Sequence, residues 1–309
     1  MAKRISIINF KGGVGKTTLA VQLAAGLARY HKPSRVLAID MDHQSSLSIL
    51  CLGGPGWDSV VKSGKVIDQL FDSFGGSVPF PGNGMRYQTR FNQSFYDNLH
   101  IVPATLRLDD IEISLTSAQQ GDPIKSEWNK RTLIARWLEE SGIDDMYDYI
   151  IFDCPPATKI VSQNAIAASH GYVIPVVPEA VMERGAPHLQ NMVKTGIDDR
   201  LTALAKFGDP RPLFVPDTKL VGVVITRIKS ASGASGYTDD HTQHLSSLQR
   251  RWKTDLLTPY IGEGTGVSQT LSAGVPVYDW PGAQNIGGRG IDRSYRTLTA
   301  ELKKRIDAL

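Results

Sequence analysis

A stretch of eight residues near the start of the chain has the composition of a phosphate-binding loop. Residues 11–18 combine three glycines, two lysines and two threonines between an apolar segment and a helical pattern. The glycines would let backbone N–H groups turn toward phosphate oxygens, and the following helix would offer its positive end to the anion. Lys16 would reach the β- and γ-phosphates, and the Thr17 hydroxyl would bind Mg²⁺. The residues expected around the phosphates are Gly12, Gly13, Val14, Gly15, Lys16, Thr17 and Thr18.

The loop departs from the strict pattern G-x-x-x-x-G-K-[ST] at two positions. Phe10 occupies the place of the first glycine, and a second lysine, Lys11, lies inside the loop. The alternative is a glycine-rich turn without a ligand. The joint placement of the glycines and lysines between a strand and a helix favours the phosphate site.

Two apolar segments of the chain end in aspartates. Residues 36–39 lead into Asp40 and Asp42, and residues 149–152 lead into Asp153. If both segments are parallel strands, these carboxylates lie at the sheet edge where open α/β folds bind ligands. The spacing of Asp40 and Asp42 places both on one side of an extended chain, and Asp153 suits Mg²⁺ bound through water. The alternatives are capping of the next helix for the first pair and a plain strand-end turn for Asp153.

Short apolar segments alternate with helical patterns along the chain. The predicted strands are 5–10, 36–39, 99–102, 149–152, 172–177 and 220–225, and the predicted helices are 16–30, 130–138, one from about 185, and 239–253. Nearly continuous apolar strands are typical of a sheet that is covered on both faces. We therefore predict an α/β fold, with a mainly parallel twisted sheet and helices on both faces. We expect a single domain over 1–309 with an irregular insert at about 53–98 and a flexible Gly/Ser loop at 230–237.

The composition excludes several classes of protein. Hydrophobic residues make up 41% of the 309 residues, which is enough for a sizeable core and excludes disorder as the main state. Two cysteines, Cys51 and Cys154, are too few for a disulfide scaffold, and we expect Cys154 to be a small buried residue rather than a redox group. We expect neither a membrane-spanning helix nor a signal peptide, and a cytoplasmic location.

The phosphate loop resembles the deviant Walker A motif, K-G-G-x-G-K-[ST], of the ParA/MinD family of P-loop ATPases. The segment D-M-D-H-Q is similar to the family's D-x-D-P-Q, with His43 in place of proline. Asp153 and the Cys-Pro-Pro-Ala after it resemble the family's D-x-P-P-[AS] turn, which senses the γ-phosphate. Weaker similarities follow at 163–179, 222–227 and 273–277. The resemblance covers most of the chain except 53–98, and it implies the P-loop NTPase fold with ATP and Mg²⁺ as cofactors.

The resemblance also implies roles for individual residues. Lys11 would cross a dimer interface to the nucleotide of the partner subunit, and Asp42 would orient the attacking water. The residues expected to be catalytic are Lys11, Lys16 and Asp42; those expected at the metal are Thr17, Asp40 and Asp153; and those expected near the adenine are Thr226 and Arg227.

Within this family the chain most resembles the ParA-type partition ATPases. These form ATP sandwich dimers, bind DNA nonspecifically and hydrolyse ATP when a ParB-like partner stimulates them, so the resemblance implies a nucleoid-associated protein. Residues 1–182 hold 17 basic and 18 acidic residues, whereas residues 183–309 hold 17 and 13. The basic excess therefore lies in the second part, where the DNA-binding candidates are Arg227, Lys229, Arg250, Arg251, Lys253 and Arg293. Glu263 lies where partition ATPases often have basic residues, which weakens the DNA interpretation.

Two alternatives stay open at this stage. A MinD-like membrane ATPase would need a C-terminal amphipathic helix, and apolar residues at 295, 298, 302, 306 and 309 form such a stripe beside 303–305. The same stripe is also typical of a last packing helix, and we do not expect membrane association. A positioner of a protein cargo would share the ATPase and DNA cycle. We expect no operator-specific DNA-reading domain, because the first strand begins close to the N-terminus.

Overall fold

Eight strands form one sheet in the computed structural model, which describes residues 1–76, 78–156, 159–208, 211–213, 217–231, 236–280, 282 and 286–309, with the backbone alone for 181–184. The strands are β1 (Lys3–Ile7), β2 (Val36–Asp40), β3 (Tyr87–Gln88), β4 (Leu99–Val102), β5 (Tyr149–Asp153), β6 (Gly171–Val176), β7 (Lys219–Ile225) and β8 (Leu256–Leu257). Their order is β3-β4-β2-β5-β1-β6-β7-β8, and only the β3–β4 pair is antiparallel. The predicted fold class is confirmed.

The parallel order brings the carboxyl ends of the central strands to one edge of the sheet. Asp40, the last residue of β2, is in register with Asp153, the last residue of β5. Ile7, at the end of β1, pairs with Asp153 from the other side, so the chain enters the phosphate loop beside both carboxylates. The edge that was expected to hold the ligand therefore gathers the loop and the aspartates.

Helices cover both faces of the sheet. They are α1 (Lys16–Tyr30), α2 (Ser46–Leu52), α3 (Gly54–Ser63), α4 (Asp68–Asp72), α5 (Gln93–Tyr96), α6 (Leu108–Ser117), α7 (Pro123–Arg131), α8 (Leu133–Glu140), α9 (Ile143–Met146), α10 (Ile160–Ala167), α11 (Ala180–Asn191), α12 (Arg200–Ala205), α13 (Asp239–Trp252), α14 (Thr265–Ala273) and α15 (Ile291–Asp307). Short 3₁₀ helices span Ser73–Gly75 and Lys253–Asp255, and a π-helix spans Met192–Asp199. One core lies under α1, α2 and α15, and the other under α4, α6–α8 and α10–α13.

The segment 53–98, expected to be irregular, is largely helical in its first half. Gly53 and Gly64, at φ 73° and 70°, bracket α3 with backbone conformations that glycine adopts without strain. Leu70 and Phe71 of α4 are buried in the core, which explains why this part of the chain is ordered. The expected helix at 130–138 is also divided, because α7 ends at Arg131 and α8 begins at Leu133.

Other boundaries differ by a few residues. β1 ends at Ile7 instead of residue 10, and α11 begins at Ala180 instead of about 185. The side chain of Asn9 donates to the carbonyl of Pro175 at 2.6 Å and accepts from the N–H of Lys11 at 3.0 Å, so these residues already form the turn into the loop. Ala157 and the middle of the 230–237 loop lie outside the described residues.

The C-terminal apolar stripe is a packing surface. Tyr295, Leu298, Leu302 and Ile306 of α15 are all at most 3% exposed, and the helix packs along α1; Leu309, after the helix, is 36% exposed. A stripe held in the core is not free to enter a lipid surface, so the structure favours the packing-helix interpretation over the MinD-like one. Within the described ranges, no helix has the length and apolar character needed to cross a membrane.

Candidate nucleotide site

The phosphate loop connects β1 to α1 with two residues in the left-handed region. Gly13 and Gly15 have φ of 72° and 81°, which only glycine adopts without strain. No side chain caps the first turn of α1, so its backbone N–H groups are available to an anion. The loop therefore has the conformation that its glycines predict.

Lys16 lies at the bottom of the loop and is 7% exposed. Its Nζ donates to the carbonyl of Lys11 at 3.2 Å. Burial lowers the pKa of Lys16, and the negative charges of Asp153 and Asp42 oppose that shift. A bound polyphosphate would add further negative charge beside this ammonium and favour its charged form.

Asp153 is a buried carboxylate without a hydrogen-bond donor of ordinary geometry among the described residues. It is 1% exposed, and both of its oxygens lack such a donor. Burial raises its pKa well above the usual range, the charge of Asp40 raises it further, and the Thr17 hydroxyl opposes the rise. A buried, unpaired carboxylate beside a threonine hydroxyl is a donor set that Mg²⁺ accepts.

Asp40 and Asp42 occupy different positions in the site. Asp40 is fully buried, and its Oδ2 accepts from the N–H and hydroxyl of Ser48 at 2.8 and 2.6 Å. Its Oδ1 accepts from the N–H of Asp42 at 3.1 Å, so Asp40 holds the backbone of Asp42 in place. Burial raises the pKa of Asp40 to about 7. Asp42 is 8% exposed and its side chain lines the cavity described next.

A cavity of about 890 Å³ opens over the loop. One wall is the phosphate loop with Asp42, and a second wall is the segment 261–271, which includes most of α14. The volume is in the range of small-molecule and cofactor sites. No motif in the sequence predicts the second wall, and Glu263 was expected only as a departure from the family pattern.

Thr226 and Arg227, expected near the adenine, contact the phosphate loop itself. The Thr226 hydroxyl is buried and donates to the carbonyl of Val14 at 2.7 Å. The Arg227 guanidinium donates to the carbonyl of Gly13 at 2.7 Å and to the carboxylate of Glu263 at 2.7 Å. Both residues line the cavity, and these contacts of Arg227 do not support its expected role on a DNA surface.

Lys11 forms an ion pair with Glu179 and is not among the described residues that line the cavity. The two side chains are 36% and 40% exposed. The next residue, Gly12, does line the cavity. Glu179 was not among the predicted site residues; it lies three residues after the end of β6, whereas Asp40 and Asp153 are the last residues of their strands.

The DNA-binding candidates do not form one patch. Lys229 lies next to the start of α13, since its N–H donates to the ring of His241 at 3.0 Å. Arg250, Arg251 and Lys253 lie at the other end of this helix of 14 residues, 9 to 12 residues beyond His241, which is about 14–18 Å away at 1.5 Å per residue. Arg293, in the first turn of α15, is exposed near the cavity, because the neighbouring Arg289 and Tyr295 line it.

The comparisons with known proteins agree with this geometry. Residues 2–205 match the family model described as an AAA domain. The chromosome partitioning protein ParA of Myxococcus xanthus is 27% identical over 306 residues, covering 97% of this chain and 88% of that protein. The chromosome-partitioning ATPase Soj of Thermus thermophilus is 31% identical over 205 residues, covering 65% of this chain and 67% of that protein. The chain belongs to the ParA/MinD family of P-loop ATPases.

A solved ParA/MinD-type structure has the same fold as this chain. The complex of a Cyanothece McdA variant with ATP gives a TM-score of 0.70 at 19% identity, covering 98% of this chain and 96% of that one. At this identity the likeness shows the fold alone. The relatives, not this structure, connect the chain with the partition ATPases of the ParA/MinD family.

Proposed function

We propose that the protein is an ATP-dependent partition ATPase that binds ATP and Mg²⁺ in the cavity over the phosphate loop. The observation that carries this proposal is the buried carboxylate of Asp153, which accepts no hydrogen bond of ordinary geometry within the described ranges and lies beside Lys16 and Thr17. A carboxylate in this state costs stability unless a cation accompanies it. A metal–nucleotide complex supplies the cation to Asp153 and the anion to Lys16.

The side chains divide the work of hydrolysis by their positions. Thr17 and Asp153 would hold Mg²⁺, with Asp40 supporting them, and the metal would neutralise charge that develops on the phosphates. Asp42 is fixed by its N–H bond to Asp40 and faces the cavity, which suits the orientation of the attacking water. Hydrolysis would be slow until a partner protein stimulates it.

ATP would join two copies of the chain in a sandwich dimer. Lys11 supports this step, because its side chain is 36% exposed and pairs with Glu179 instead of lining the cavity in the described part of the chain. To reach the phosphates of a second subunit, Lys11 must first leave Glu179. The dimer would present two copies of every exposed basic group.

The dimer would bind DNA nonspecifically and act on the nucleoid in the cytoplasm. A ParB-like partner that stimulates hydrolysis would release it from the DNA. Arg250, Arg251 and Lys253 are exposed, and no ion pair joins them to an acidic side chain among the described residues. Free guanidinium and ammonium groups bind the phosphate backbone and displace its counterions. These three residues are therefore the strongest DNA candidates. We call them the far basic group, because they lie at the end of α13 that is distant from Lys229.

The test of this function is DNA binding with ATP, ADP or no nucleotide across a salt series. We expect anisotropy of a labelled 40-base-pair duplex to show tight binding with Mg²⁺ and ATP, and weak binding in the other two conditions. Affinity should fall steeply with salt, because counterion release drives the association. Binding that ignores the nucleotide would contradict the DNA cycle and favour a positioner of protein cargo.

Neutralising the far basic group should weaken DNA binding without affecting ATP hydrolysis. In the variant R250A/R251A/K253A, we expect the logarithmic salt slope to drop by about 1 for each lost phosphate contact. The matched control is K62A/K65A/K125A, which removes three exposed lysines elsewhere. An equal slope in the two variants would place the DNA surface elsewhere, with Lys229 and Arg293 as the next pair to test.

A further inference from the structure

Three carbonyl groups of the phosphate loop are each held by a donor side chain. Lys16 donates to the carbonyl of Lys11 at 3.2 Å, and Thr226 donates to that of Val14 at 2.7 Å. Arg227 donates to the carbonyl of Gly13 at 2.7 Å. Two of the three donors are consecutive residues that follow β7, on the far side of the sheet centre from β2 and β5.

These contacts fix the direction of the backbone N–H groups in the loop. In a planar trans peptide, the carbonyl of one residue and the N–H of the next point in opposite directions. None of the cis peptide bonds lies in the loop. A carbonyl of Gly13 held by Arg227 therefore turns the N–H of Val14 away from Arg227, and Thr226 does the same for the N–H of Gly15. Such N–H groups are the donors of a phosphate cradle.

Arg227 is itself held in one orientation. Its Nε and Nη2 donate to Oε1 of Glu263 at 3.2 and 2.7 Å, while its Nη1 serves Gly13. Its backbone has φ 54°, an unusual value for a residue other than glycine. Arg289 adds a second restraint, because its guanidinium donates to the carbonyl of Glu263 at 2.6 Å and to the hydroxyl of Ser230 at 2.9 Å.

The Arg227–Glu263 pair thus joins the two walls of the cavity. Gly13 belongs to the phosphate wall, and Glu263 belongs to the second wall formed by 261–271. A planar guanidinium with several fixed donors suits such a bridge, whereas a lysine ammonium has no comparable geometry. Removal of Arg227 would leave the carbonyl of Gly13 without this donor, and removal of Glu263 would release the guanidinium from its fixed orientation.

We propose that Arg227 is a positioning residue for nucleotide binding. Glu263 holds its guanidinium, and Arg227 orients the Gly13–Val14 peptide so that the N–H of Val14 is available to the phosphates. The inference rests on the proposed nucleotide function and assigns Arg227 an action through the loop rather than directly on the nucleotide. Substitution of Glu263 distinguishes action through the loop from direct action on the nucleotide, because the two predict opposite changes in nucleotide affinity. Removal of a negative charge near a polyphosphate tightens binding by simple electrostatics, whereas loss of a positioning contact weakens it.

The experiment measures the affinity of the full chain for mant-ATP with Mg²⁺ by fluorescence titration. We expect Arg227→Ala and Glu263→Ala each to weaken binding about 10-fold, the order of one charge-assisted hydrogen bond. The double variant should be no weaker than either single variant, because both remove one coupled contact. Arg227→Lys keeps the charge and should behave like Arg227→Ala.

A matched Arg–Glu pair provides the control. Arg136 donates to Glu140 at 2.7 Å on α8, and Arg136→Ala and Glu140→Ala should leave mant-ATP binding unchanged. Tighter binding by Glu263→Ala, or wild-type affinity in Arg227→Lys, would overturn the positioning role and indicate direct charge contact. Equal binding by the wild-type protein and Arg227→Ala would overturn this inference alone. Absence of mant-ATP binding by the wild-type protein would overturn the proposed function as well.

Discussion

Replacing Asp153 with asparagine should remove Mg²⁺-dependent ATP hydrolysis and, in the same protein, raise the free energy of unfolding. We expect hydrolysis to fall about 100-fold or more, since the metal contributes several kcal/mol of charge stabilisation to phosphoryl transfer. In the metal-free protein, the buried carboxylate has no partner of ordinary geometry among the described residues. Its neutral replacement should therefore stabilise the fold by about 1–3 kcal/mol.

The pH dependence of stability follows from the same carboxylates. Burial raises the pKa of Asp40 to about 7 and that of Asp153 well above its usual range. In the unfolded chain these groups lose their protons near pH 4. Between about pH 4 and 7 the folded state holds more protons than the unfolded state, so the stability of the metal-free protein falls as the pH rises. Asp153→Asn should reduce this slope.

Urea unfolding in EDTA at pH 5 and pH 7.5, together with phosphate release from Mg²⁺–ATP, measures both effects. Asp58→Asn is the matched control, because Asp58 is exposed on α3 and far from β5 in sequence. It should change neither hydrolysis nor the pH slope. Wild-type hydrolysis in Asp153→Asn would contradict the metal role, and a loss of stability would contradict the unpaired state of the carboxylate.

The sequence predicted the sheet edge well because strand ends are a local signal. Apolar segments followed by Asp40 and Asp153 located two strands, and parallel order then implied that the aspartates meet, as the register of β2 and β5 shows. Glu179 lies three residues after the end of β6 and was not predicted, because only its ion pair with Lys11 shows its connection to the loop.

The remaining parts of the site depend on contacts that local patterns do not encode. The Arg227–Gly13 contact joins residues that are 214 positions apart, and Arg227 in turn pairs with Glu263 of the wall formed by 261–271. Thr226 and Arg227 were predicted from resemblance alone. Their contacts with the loop carbonyls exist only in the folded chain and have no signal in the sequence. The order in 53–98 was missed for a similar reason, since glycine and proline there mark the ends of α3 rather than an irregular chain.

The two lysines of the phosphate loop should have separable effects. Lys16 is 7% exposed and lies between the loop and the carboxylates of Asp153 and Asp42. We expect Lys16→Ala to weaken mant-ATP binding about 100-fold or more, the order of a buried, hydrogen-bonded charge removed from its partner. Lys11→Ala, by contrast, should bind mant-ATP as a monomer with the affinity of the wild-type protein.

Dimerisation, unlike nucleotide binding by the monomer, should depend on Lys11. Since Lys11 pairs with Glu179 and is not among the described residues that line its own cavity, its loss should abolish the ATP-dependent increase in mass that we expect light scattering to show for the wild-type protein. Glu179→Gln keeps the size of the side chain but weakens its hold on Lys11, and we expect it to lower the ATP concentration needed for dimerisation. Normal dimerisation by Lys11→Ala would contradict the cross-subunit role, and tight mant-ATP binding by Lys16→Ala would contradict the nucleotide site itself. Because each lysine serves as the control for the other, a general loss of folding would appear as equal damage in both variants.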